Sequence, residues 1–231
     1  MPRMILAAFA SLFFLPVATV MAQEPLALDT PEKQYSYAIG TQLGGSVKQG
    51  GVPDLDVDAL MLGVRDVLEE AELKLTDDQV NAAMLGLQTA MQAAAQAAAE
   101  KTLKDGQAFL AENKDAEGVT TTESGLQYKV LTEGSGAKPS ATDTVQVHYE
   151  GKLLNGTIFD SSYARGTPAE FPVGGVIPGW VEVLQLMPEG STWEVFIPSE
   201  LAYGERGAGG DIGPNEMLTF KVELIKIVSA E

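Results

Sequence analysis

Val145-Gln146-Val147-His148-Tyr149-Glu150 alternates apolar and polar side chains, and Gly151 leads on to Asn155-Gly156 before a second apolar run. A strand turns successive side chains to opposite faces, so Val145, Val147 and Tyr149 predict a buried face and Gln146, His148 and Glu150 a wetter one. Asn-Gly between two strand-like runs is a strong hairpin signal. Outward from this point, residues 192–197 and 218–228 read as further strands, and a helix fits only at about residues 181–186. Residues 119–231 therefore predict an antiparallel sheet wrapped around one short helix, large enough to fold by itself.

Upstream, the pattern becomes helical. Thr30-Pro31-Glu32 is a helix start, with a capping hydroxyl, proline at the first helical position and an acid in the first turn. Tyr35, Ile39, Leu43 and Val47 recur every fourth residue until Gly50-Gly51-Val52-Pro53 breaks the run. A second stripe of Leu60, Val64, Val67 and Leu68 starts after Asp56 or Asp58 and ends in Glu69-Glu70. Two helices this short bury too little to be stable alone and need a partner. Thr76 with Gln79 fits a capping box, and no proline follows until well past Asn113. Ala93 to Ala99 is almost wholly alanine and glutamine, which predicts a rigid rod rather than a flexible linker. About 37 residues at roughly 1.5 Å each would span about 55 Å, long enough to space two domains. Gly86 and Gly106 are its expected weak points.

The chain has 231 residues, no cysteine, one histidine and a formal net charge of −17. Zero cysteines remove disulfide, zinc-finger and thiol-nucleophile chemistry. The negative charge opposes nucleic-acid binding, because phosphate backbones are repelled. Met1-Pro2-Arg3, an apolar run over residues 4–20 and Val20-Met21-Ala22 predict a secretory leader cleaved after Ala22. Pro16 interrupts a run already short for a membrane span, which disfavours a retained anchor.

The usual catalytic signatures are absent: there is no Gly-x-Ser-x-Gly elbow, phosphate loop or Gly-x-Gly-x-x-Gly. His148 falls on the strand face opposite Tyr149 and reads as structural. A reaction without proton transfer, metal or covalent intermediate fits this inventory. Val147-His148-Tyr149-Glu150-Gly151 runs on through Asn155-Gly156-Thr157-Ile158-Phe159-Asp160-Ser161-Ser162 to Phe171. Val176-Ile177-Pro178-Gly179-Trp180, Leu201-Ala202-Tyr203-Gly204, Ile212-Gly213-Pro214-Asn215 and Leu218-Thr219-Phe220 follow in order. Together these segments resemble the FKBP-type prolyl isomerase domain. Ser36-Tyr37-Ala38-Ile39-Gly40, Leu43-Gly44, the long Ala/Gln-rich helix and Gly125-Leu126-Gln127-Tyr128 resemble the macrophage infectivity potentiator and FkpA group of that family.

The resemblance implies an α+β protein: a signal peptide at 1–22, an all-α dimerisation region at 23–75, a long helix and linker at 76–118, and the isomerase domain at 119–231. It implies cis–trans isomerisation of Xaa-Pro bonds in exported polypeptides, in the periplasm, at the outer membrane or secreted. No cofactor and no metal are implied. Trp180 would form the floor of a proline pocket, with Tyr149, Phe159, Phe171, Val176, Ile177, Ile212 and Phe220 around it. The Tyr203 hydroxyl and the Ile177 N–H would donate to substrate carbonyls, and Asp160 would sit beside Tyr149 and Arg165 to orient rather than transfer protons. Implied partners are proline-containing unfolded chains, tacrolimus or rapamycin, and a second copy. Ala169, where the family often carries a larger residue, implies a more open pocket; Gly213, Ala208 and a shorter segment before Val176 are further departures. A non-catalytic chaperone cradle using the same groove is the competing reading.

Overall fold

The computed structural model describes residues 26–228, so the expected leader lies outside the described residues. The chain divides into two compact units between Val52 and Pro53. The first holds α1 (Pro31–Gln49), capped by the Thr30 hydroxyl, which accepts from the Lys33 N–H at 3.3 Å. Gly50 ends it, and Tyr35, Ile39 and Leu43 stay exposed along one stripe.

The second unit opens with α2 (Val57–Leu68), whose cap is Asp56: its carboxylate accepts from the Ala59 N–H at 2.9 Å. Then comes α3 (Asp77–Asn113), which begins in the expected reciprocal box. The Thr76 hydroxyl accepts from the Gln79 N–H at 3.3 Å, and the Gln79 amide oxygen accepts from the Thr76 N–H at 2.9 Å. Val80, Met84 and Met91 in the first half of α3 are exposed.

One antiparallel sheet follows, made of β1 (Val119–Thr121), β2 (Gln127–Thr132), β3 (Thr144–Leu153), β4 (Ile158–Ser161), β5 (Ala169–Pro172), β6 (Thr192–Ile197) and β7 (Leu218–Val228). Its order is β1-β2-β6-β7-β3-β4. One edge of the long strand β3 is shared: β5 pairs with Thr144 to Val147, and β4 with Glu150 to Lys152. A single turn, α4 (Ser162–Arg165), links β4 to the segment leading into β5. The helix α5 (Pro178–Leu186) buries Trp180, Val183 and Leu184, the i, i+3, i+4 face of a helix lying on a sheet. It meets Val145, Val147 and Tyr149 of β3, Val195 and Ile197 of β6, and Phe220 and Val222 of β7 in one core. This is the α+β architecture expected. The helix starts three residues earlier than its apolar periodicity suggests, because Pro178 occupies the first helical position, where its missing N–H costs nothing.

The second half of α3 differs from the expectation of a free spacer, because it is packed on the opposite face of this sheet. Phe109 meets Phe196 of β6 at 5.7 Å between ring centroids. Gln127, directly across the ladder from Phe196, is buried and donates from Nε2 to the Leu110 carbonyl at 2.8 Å; its Oε1 accepts from Asn113 at 2.9 Å. Gly106 seats against Met217: a Cβ there would lie 3.1 Å from Cγ of that side chain. What reads locally as a weak point of the helix is the residue that lets it seat.

Candidate active site

A cavity of about 480 Å³ opens between β3, β4, β5, α5 and β7, lined by Tyr149, Phe159, Asp160, Phe171, Gly175, Val176, Ile177, Trp180, Tyr203 and Phe220. Nine of these are residues named from the sequence; Gly175 is the addition. Ile212 and Arg165 do not line it. Ile212 is in the core beneath, and Arg165 approaches through Asp160 and Tyr149.

Trp180 lies in the first turn of α5, and three rings stand nearly perpendicular to its indole. They are Tyr149 at 5.3 Å and 90°, Phe171 at 5.7 Å and 83°, and Phe220 at 5.2 Å and 81°. Phe159 then meets Phe220 edge-on at 5.5 Å. Each edge-to-face pair contributes about 1 kcal/mol beyond its buried area, so the rings fix one another. The two phenylalanines close over Gly151 of β3, where a Cβ would come within 2.7 Å of both rings. The glycine after Glu150 is therefore a packing requirement of the site. Its place in a strand gave no sign of that.

The polar end of the cavity is a three-residue cluster. The Tyr149 hydroxyl donates to Oδ2 of Asp160 at 2.5 Å, and Arg165 donates to the Tyr149 oxygen at 2.9 Å while pairing with Oδ1 of Asp160. The guanidinium carbon also lies 5.5 Å from the Tyr149 ring centroid. Burial raises the Tyr149 phenol above its ordinary range, and the Asp160 carboxylate adds to this. Burial opposes ionisation of Asp160, but the Tyr149 hydroxyl and Arg165 outweigh it and hold the carboxyl below its ordinary value. At neutral pH the phenol keeps its proton and the carboxylate its charge.

Ser162, fully buried at the start of α4, sets this cluster. Its Oγ accepts from the Tyr149 N–H at 2.7 Å and donates to the Tyr149 carbonyl at 3.2 Å, so α4 is fastened to β3 beside the phenol. The sequence carries Ser162 in a recognisable run but gives no sign of this role. His148 Nδ1 lies 2.9 Å from the same hydroxyl, and its ring stacks on Tyr163 at 4.6 Å. Tyr203 is 41% exposed at the rim, and Ile177 caps α5, so its N–H precedes the helical ladder.

Comparison with known proteins extends over almost the whole chain. Residues 135–225 match the FKBP-type peptidyl-prolyl cis-trans isomerase family, and residues 32–130 match the domain amino terminal to FKBP-type peptidyl-prolyl isomerase. An FKBP-type 22 kDa peptidyl-prolyl cis-trans isomerase of Escherichia coli is 50% identical over 200 residues, covering 87% of this chain and 97% of that protein. The outer membrane protein MIP of Legionella longbeachae is 45% identical over 226 residues, covering 96% of this chain and 97% of the relative. The crystal structure of FkpA from Escherichia coli superposes with a TM-score of 0.70 at 35% identity, covering 89% of this chain and all of that one. With identity this high across both units and an aromatic cavity in the matched region, the chain belongs to the FKBP-type peptidyl-prolyl cis-trans isomerases.

Proposed function

We propose that this isomerase binds the proline ring of an Xaa-Pro segment over Trp180 and lowers the barrier by favouring the twisted amide. The observation that carries the reading is the indole ringed by Tyr149, Phe171 and Phe220 at right angles, an apolar box with one polar end. Peptide resonance sets a rotation barrier of about 18–20 kcal/mol, and uncatalysed Xaa-Pro exchange takes tens to hundreds of seconds. Twisting the C–N bond removes that conjugation, and the planar amide is the more dipolar form. An apolar enclosure therefore disfavours the ground state relative to the transition state. Each 1.36 kcal/mol of such discrimination is worth about tenfold in rate.

Tyr203 and the Ile177 N–H donate to the carbonyls flanking the proline and hold the chain while the bond turns. Asp160, with both carboxylate oxygens engaged, positions the Tyr149 ring and Arg165 and moves no proton. Phe159, Val176 and Phe220 wall the proline, and Phe171 and Ile212 shape the pocket; Ala169 packs against the core beside Val147 and is not in the cavity lining. Tacrolimus and rapamycin would occupy the same box.

The substrates proposed are unfolded or partly folded exported chains, met in the periplasm or at the outer membrane. A relative is named as an outer membrane protein, and no helix among the described residues is long and apolar enough to cross a membrane. The domain limits proposed are 23–75 for dimerisation, 76–118 for the connecting helix and 119–231 for the isomerase, after a leader at 1–22. Exposed stripes on α1, on α2 at Met61, Val67 and Leu68, and on the first half of α3 support pairing with a second copy, and with it a chaperone role. A protease-coupled assay on Leu-Pro and Phe-Pro tetrapeptides tests the catalytic core. Acceleration that tacrolimus abolishes is expected; an inert mature protein overturns the reading.

A further inference from the structure

Asn215 closes the Ile212-Gly213-Pro214-Asn215 run, and its side chain lies outside the cavity lining. Its backbone is left-handed, with φ 60°, a conformation that asparagine tolerates better than most residues. Two hydrogen bonds fix it there. Its N–H donates to the Gly204 carbonyl at 2.9 Å, and Gly204 follows Tyr203 directly in the chain. Its side-chain amide donates to the Ala99 carbonyl of α3 at 3.2 Å.

The first bond joins the two ends of the loop from Gly204 to Asn215, whose interior contains four more glycines. Within the loop the Ala208 N–H donates to the Ile212 carbonyl at 3.1 Å and the Ile212 N–H to the Gly209 carbonyl at 3.2 Å, so its placement depends on how its two ends are held. The second bond ties the base of that loop to a helix more than a hundred residues earlier. Two residues on, Met217 is 2% exposed and rests on Gly106 of the same helix. The loop base thus stands on α3 at Ala99 and Gly106, almost two turns apart. The Ala99 carbonyl has a second lone pair free for this, so the helix loses nothing by accepting.

We propose that Asn215 is a positioning residue for Tyr203, and that α3 is a brace of the catalytic loop as well as a connection. The inference rests on the reading of Tyr203 as a donor to substrate. It adds that the place of the hydroxyl over the cavity depends on the seating of α3, through Asn215 and Gly204.

The test is a double-mutant cycle in the full mature protein, with kcat/KM measured on an Xaa-Pro tetrapeptide. Asn215→Asp keeps the shape and the tolerance for positive φ but has no amide donor. Asn215→Gly removes the side chain and any backbone strain, so the fold survives in at least that variant. Each is expected to lower kcat/KM about fivefold, the worth of one hydrogen bond misplaced in the transition state. In a Tyr203→Phe background the same changes are expected to cost almost nothing more, because the hydroxyl they position has gone. A purely structural role leaves the two losses multiplicative, and that result overturns the proposal. So do wild-type rates in both Asn215 variants while Tyr203→Phe is impaired. A wild-type rate in Tyr203→Phe alone removes the assigned role of Tyr203, and the positioning proposal with it.

Discussion

Asp160 has one carboxylate oxygen on Tyr149 and the other on Arg165, so its removal leaves two polar groups without their partner at the mouth of the cavity. Asp160→Ala is expected to lower kcat/KM about tenfold in the peptide assay, since the Tyr149 ring and Arg165 lose their anchor. Phe220→Ala removes a wall and a core side chain together, and about 3–4 kcal/mol of stability should go with the activity. The pH dependence follows from the same cluster. With its folded value depressed, Asp160 contributes stability that is complete above the ordinary carboxylate value of about 3.9 and is lost as pH falls through the lower folded value. Tyr149, raised by burial, contributes stability that is present below about pH 10 and lost as pH rises through its folded value. Between those limits neither group changes charge, so kcat/KM should be flat from about pH 5.5 to 8. A step in rate inside that range that disappears in His148→Gln would show that the ring on the far face of β3 takes part in catalysis.

Among the elements, the docking of α3 changes what a truncation can be expected to do. A chain beginning at Val119 lacks Phe109, Leu110 and Asn113 and uncovers Phe196, Gln127 and Met217, all nearly buried in the intact protein. Compared with a chain beginning near Ala95, it should unfold at a clearly lower denaturant concentration. Gln127→Ala in the full chain should cost about 1.5 kcal/mol, because Asn113 loses its acceptor. Equal midpoints for the two fragments would mean that the helix contributes nothing to the fold of the sheet. The strands β3 and β7 were legible because each is ten or more residues long and alternates over most of its length, β6 because Trp193, Val195, Phe196 and Ile197 concentrate aromatic and β-branched residues, and α3 because a capping box opens a proline-free run of strong helix formers. The strands β1, β2 and β5 were not legible: they are three to six residues long, and β5 contains Pro172, which an edge position tolerates. The nine cavity residues were named through ordered motifs. The seat of α3 was invisible because Gly106 and Gln127 carry the local signals of a flexible point and a surface residue, and only long-range packing gives them a role.

For the whole molecule, the exposed stripes on α1, α2 and the first half of α3 should be covered by a second copy. Light scattering on the mature chain at micromolar concentration should give a dimer, and a fragment from near Ala95 a monomer with equal rates on tetrapeptides. Two linked sites raise the effective concentration of a bound client for the second site, so the fragment should refold a proline-limited protein far less well. A monomeric mature chain, or a fragment that refolds proteins equally well, would remove the cradle. The protein also has only two tryptophans, and their surroundings differ. Trp193 is 4% exposed and stacked on Tyr128 at 4.3 Å, whereas Trp180 lines the cavity. Any ligand entering the cavity meets one indole and leaves the other in its stack. The intrinsic emission of the native protein therefore contains a built-in occupancy signal over a constant background. Replacing Trp193 with phenylalanine would leave a single tryptophan, at the cavity, through which binding of an unlabelled client could be followed on the stopped-flow timescale under excitation selective for indole.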